Sequence, residues 1–177
     1  FLESVTNVPN YNIVTTVKLH GKINGEKLFL ALRNVISKNQ QLGVKIYINN
    51  GFPCQELHIN LNALIGQSIF FHKLKNRRNI EETEFLYRFD LSNELPIRVN
   101  FIENDGGNSF LIVTWHHVVS DEWSSKIFFK ELQHFYQNDE RVCNAIVKKN
   151  TYFDYSIWQN TESFDALCKQ AINNLSS

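Results

Sequence analysis

The stretch from Phe110 to His117 constrains this chain more than any other. Leu111, Val113 and Trp115 fall on one face of an extended segment, with Phe110 and Ile112 on the other. A strand that is apolar on both faces belongs inside a sheet rather than at its edge. Asn104-Asp105-Gly106-Gly107-Asn108 reads as the hairpin turn before it, and Pro96 to Ile102 reads as the strand entering that turn. From Ser124 onward, Phe128, Leu132, Phe135 and Tyr136 make the apolar stripe of a helix.

The rest of the chain builds around that strand. Asn12 to Leu19 is rich in β-branched residues and stops at Gly21, as a strand does. Asn24 can then cap a helix with Leu28, Ala31, Leu32, Val35 and Ile36 at helical spacing, and Gly43 marks its exit. Val44, Ile46 and Ile48 alternate with polar neighbours up to a turn at Asn50-Gly51, with residues 54–59 as a hairpin return. No clear period runs from Leu61 to Arg78. Ile80 to Leu86 reads as a short acidic helix. A basic connector (Lys148, Lys149) leads to Tyr152-Phe153-Asp154-Tyr155 and a last helix, roughly Ser156 to Asn174. The expected class is α/β, an α+β sandwich with a mixed sheet flanked by helices.

Charge narrows the function classes. The 177 residues carry 18 Lys+Arg against 18 Asp+Glu, without the basic surplus that nucleic acid or an anionic membrane surface requires. No apolar run approaches the ~20 residues of a membrane span. With 14 Phe, 6 Tyr and 3 Trp there is ample burial to order the chain. Cys54, Cys143 and Cys168 are scattered without metal-ligand spacing, which suits a reducing, cytoplasmic setting and no bound metal. The chain has no Met and opens on Phe1-Leu2, so it is expected to be a piece of a longer polypeptide.

The densest chemistry lies at His116-His117-Val118-Val119-Ser120-Asp121, where the buried strand gives way to the loop before a helix. If the strand runs regularly to its end, His116 shares a face with Phe110 and Ile112, and His117 shares one with Leu111, Val113 and Trp115. Three readings are open. The pair can be satisfied core histidines, or metal ligands with a third group from elsewhere, or a general base facing a cleft. Opposed faces argue against the metal.

This string resembles the HHxxxDG motif of the condensation domains of nonribosomal peptide synthetases, within the chloramphenicol-acetyltransferase-like acyltransferases. The Trp123-Ser124 pair after it also fits the family pattern. Phe1-Leu2 through Ile13, Leu19-His20-Gly21-Lys22-Ile23-Asn24 and Phe89-Asp90-Leu91-Ser92 with Leu95-Pro96-Ile97-Arg98 are similar to family segments in the right order. So is Tyr152-Phe153-Asp154-Tyr155 with Trp158-Gln159, beside the family's Y-x-D-Y-x-x-W. The resemblance implies that residues 1–177 are the N-terminal lobe of a two-lobed domain, whose C-terminal lobe lies outside this sequence. It implies amide formation between a carrier-bound acyl thioester and a carrier-bound amine, with His117 as the catalytic histidine. Partners would be carrier proteins with phosphopantetheine arms, with no cofactor bound directly and no activity in the isolated lobe. Asp121 would be structural, paired with an arginine.

Two positions depart from the pattern. Glu122 replaces the motif glycine, removing backbone freedom and adding charge. Lys38-Asn39-Gln40-Gln41-Leu42-Gly43 aligns with the family's R-H-E-x-L-R and carries Gly43 where the final arginine sits. If Asp121 is buried it needs another cation, and Arg98 is the candidate. Ester formation by the same fold, or a degenerate lobe that only docks carriers, are the competing functions.

Overall fold

The computed structural model describes residues 11–73, 77–103, 108–138 and 151–175. The chain divides into two compact units, Phe1–Ala145 and Ile146–Ser177. The first is built on β1 (Asn12–His20), α1 (Gly25–Lys38), a 3-10 turn (Gln40–Gly43), β2 (Val44–Asn49) and β3 (Phe52–Leu57). It continues with α2 (Leu61–Ser68), β4 (Ile69–Lys73), α3 (Arg78–Phe85), β5 (Ile97–Glu103), β6 (Asn108–His116) and α4 (Glu122–Asn138).

The main sheet has the order β1-β6-β5-β4. β6 is central, as its two apolar faces require, and pairs antiparallel with β1 (Asn12 opposite His116) and with β5 (Ile97 opposite Trp115). β4 runs parallel to β5, so the sheet is mixed. The helix expected after Asn24 forms, and the Asn24 side chain accepts the backbone N–H of Lys27. Leu28, Ala31, Leu32, Val35 and Ile36 of α1 pack with Phe128, Leu132 and Phe135 of α4 onto Leu111, Val113 and Trp115. Asn50 and Gly51 both have positive φ (50° and 81°), the geometry that a two-residue hairpin turn between β2 and β3 demands. The unassigned stretch after Leu61 proves to be α2 followed directly by β4, two elements too short to show a period.

The opposite face of the sheet is mixed, with Ile102 and Ile112 buried on it beside polar side chains. It carries Arg98 and Asn100, with β1 contributing Asn12 and Thr16. Helix α3 lies here, and Glu84 is its only buried residue. In the second unit the single expected helix is two, α5 (Tyr152–Gln159) and α6 (Glu162–Leu175). The break falls at Asn160-Thr161, side chains that bond locally to backbone: Asn160 donates to the Ser156 carbonyl and Thr161 to that of Trp158. Thr151 and Asp154 form a reciprocal capping box at the start of α5. The turn at 104–107, the basic connector and the opening residues before Tyr11 lie outside the described residues. No helix among the described residues is long and apolar enough to cross a membrane.

Candidate active site

His116 closes β6, buried on the side of the sheet opposite the apolar core, as the alternation predicts. Its backbone N–H donates to the Pro96 carbonyl at 3.0 Å, and its ring meets those of Tyr11 and Phe89 with centroids 6.1 and 5.9 Å away. The Nδ1 atom accepts the Val118 N–H at 3.2 Å, so Nε2 carries the ring proton in the neutral tautomer. The chain turns at this point, with Val119 N–H returning to the His116 carbonyl at 3.1 Å. His117 therefore leaves the sheet instead of joining the Leu111–Trp115 face. It is exposed, with its backbone N–H donated to the Tyr11 carbonyl at 2.7 Å. One imidazole holds the turn, and the other stands free at its crest.

Asp121 is exposed and caps α4, accepting the backbone N–H and the hydroxyl of Ser124 at 2.7 and 2.6 Å. These bonds, the hydroxyl first, hold its carboxyl below the ordinary range. The expectation that Arg98 serves Asp121 is corrected. Arg98 lies in the polar layer beneath α3, where Nε meets both Glu84 oxygens at 3.2 and 3.1 Å and a terminal nitrogen adds a third contact at 3.1 Å. An exposed carboxylate with two donors needs no cation. A carboxylate that is 2% exposed does.

The departures also acquire a physical meaning. Glu122 is the first residue of α4, points to solvent and pairs with Lys126 at 2.8 Å, which lowers its pKa. Among the described residues Asn50 is the only non-glycine at positive φ, so position 122 uses no torsion reserved for glycine. Gly43 sits against α2: a Cβ there would lie 3.1 Å from a Leu61 methyl. Its neighbourhood is occupied by a leucine rather than by a long cation.

Sequence reasoning missed Glu84. The signal was the alternation of Ile97, Val99 and Phe101 with Arg98 and Asn100, which puts a cation on a sheet face that only an acidic helix was available to cover. Asn100 donates to Glu84 at 3.0 Å and meets His72 at 2.9 Å, while Asn12 donates to the Glu84 and Tyr87 carbonyls at the end of α3. Among the described residues no three His, Cys, Asp or Glu side chains gather to hold a metal ion.

The family model for the condensation domain matches residues 1–171. This chain belongs to that family. Gramicidin S synthase 2 of Aneurinibacillus migulanus is 29% identical over 154 residues, covering 85% of this chain and 3% of that protein. Tyrocidine synthase 2 of Brevibacillus parabrevis is 23% identical over 150 residues, 84% of this chain and 4% of its own length. The condensation-domain chain thus spans a small fraction of the curated relatives it matches. Its fold is that of the X-domain from teicoplanin biosynthesis, with a TM-score of 0.73 at 19% identity over 96% of this chain and 37% of the other. The epimerization domain from the third module of tyrocidine synthetase B superposes with a TM-score of 0.70 at 16% identity, covering 88% of this chain and 37% of that one.

Proposed function

We propose that the parent protein uses this lobe to join a carrier-bound acyl thioester to a carrier-bound amine. The amine nitrogen attacks the thioester carbon, the C–N bond forms and the C–S bond breaks. His117 takes the proton that the nitrogen sheds, and the departing phosphopantetheine sulfur is protonated as a thiol. Its carriers and the C-terminal lobe of the same domain are the partners, and the free thiols of Cys54 and Cys168 suit a reducing cytoplasm.

The observation that carries this reading is the placement of His117. It is the exposed histidine of the pair, anchored through its backbone to Tyr11 while its ring stays available. The ordinary helical start at Glu122 weighs for retained chemistry over a degenerate docking lobe, because no backbone strain accompanies the replacement. The test is turnover by the parent protein with defined acyl and amine carrier substrates, wild type beside His117→Ala. A loss of at least about 100-fold is expected for a missing general base. Unchanged turnover would remove His117 from the mechanism.

A further inference from the structure

We propose that Glu84 and Arg98, through Tyr87 and Phe89, are positioning residues that fix the turn carrying His117. The inference rests on the reading of His117 given above. It starts from an oddity of α3: the helix buries one side chain, and that side chain is a carboxylate, while Phe85 and Leu86 at its end stay exposed. A helix docked in this way takes its position from polar contacts, the ion pair foremost, with the Thr16 hydroxyl on Glu81 and Asn12 on the carbonyls at its end.

The pair is the first link of a continuous stack. The Arg98 guanidinium, locked onto Glu84 in fork geometry, lies 3.7 Å from the Tyr87 ring centroid and 4.7 Å from that of Phe70. Tyr87 meets Phe89 edge-on at 5.1 Å, and Phe89 meets the His116 ring edge-on at 5.9 Å. The Tyr87 hydroxyl donates to Glu94 at 2.6 Å, which stops that ring from sliding along the stack.

The last link reaches across His117. The His116 ring accepts the N–H of Val118, so residues on both sides of His117 are tied by one imidazole. If that ring turns, Val118 is released and the turn keeps only the His117–Tyr11 and Val119–His116 backbone bonds. The Phe89 and Tyr11 rings, with centroids 5.9 and 6.1 Å away, pack against the imidazole and disfavour that rotation. A buried charge pair under the sheet thereby sets the orientation of an exposed histidine at its end.

The test uses the full parent protein and the carrier assay. Tyr87→Leu breaks the stack but leaves the Glu84–Arg98 pair, and Arg98→Lys keeps the charge but loses the planar fork. Each is expected to lower kcat about tenfold with KM for both carriers unchanged, the scale of a modest misplacement of a reacting group. Tyr87→Phe keeps the ring but loses its tether to Glu94, so it should recover most, not all, of the turnover lost in Tyr87→Leu. In a His117→Ala background the same two variants should cause no additional loss, because they act through the missing ring. A tenfold loss in both backgrounds, or an unchanged kcat in folded Tyr87→Leu protein, overturns the inference while His117→Ala still shows its own effect. Unchanged turnover in His117→Ala overturns the functional reading and this inference with it.

Discussion

The Glu84–Arg98 pair makes an asymmetric stability prediction. Breaking a buried ion pair by removing one partner costs about 3–5 kcal/mol, because the other charge is left without compensation. The two orphans differ here. Arg98→Met strands a carboxylate on a side chain 2% exposed, with the Asn100 amide as its remaining side-chain donor. That change belongs near the top of the range, about 5 kcal/mol. Glu84→Leu leaves a guanidinium on a side chain 17% exposed, still stacked on Tyr87 and Phe70 and able to reach water, so its cost falls near about 3 kcal/mol. The double variant Glu84→Leu with Arg98→Met removes both charges and leaves mainly an unsatisfied Asn100 amide, about 1 kcal/mol. Native-state hydrogen exchange on the β5 and β6 amides of the parent protein reads these differences as opening free energies. The expected order is Arg98→Met worst, Glu84→Leu next, and the double variant mildest. A double variant as costly as the two singles together would refute the claim that the charges compensate each other.

Two more outcomes are expected at positions near the motif and its departures. Gly43→Ala places a methyl 3.1 Å from Leu61 and should destabilise the α2 region by about 1 kcal/mol, with Leu61→Ala relieving the crowding in the double variant; hydrogen exchange across α2 checks both. The Asp121 cap should be pH-dependent in one direction. Its pKa is depressed in the folded protein by the Ser124 hydroxyl and N–H, so its stabilisation is complete above the ordinary carboxylate range and disappears as pH falls through the lower folded value. Exchange at the first turn of α4, corrected for intrinsic rates, should rise through that acid window, and Asp121→Ala should abolish the step.

Elements with a strong period or a distinctive residue pair were legible in the sequence. The Asn24 cap, the α1 stripe, the Asn50-Gly51 turn and the two-sided β6 each express a local rule whose outcome the tertiary fold preserves. Legibility failed where a residue's partner lies far along the chain. Arg98 is the candidate cation for Asp121 in the sequence because Gly43 stands where the family's arginine sits, whereas strand register puts Arg98 opposite Thr114 and under α3. His117 was expected on the Trp115 face because alternation assumes that a strand continues, and the His116–Val118 bond ends it. The strand alternation points to an acidic partner for Arg98 but not to Glu84 itself, because a buried carboxylate and a solvated one read the same in a short acidic helix.

The pairing of β1 with β6 has a consequence for how the protein is made. Asn12 cannot meet His116 until the intervening chain has left the ribosome, and the Tyr11 carbonyl that holds His117 waits with it. At synthesis rates of about 5–20 residues per second the first strand stays unpaired for seconds, with its backbone donors and acceptors open to other chains. The α1 helix can form early, but the sheet it covers cannot. The candidate active site is therefore completed only once β6 has emerged, and truncated or stalled chains lacking β6 would present an unpaired β1 and no histidine turn.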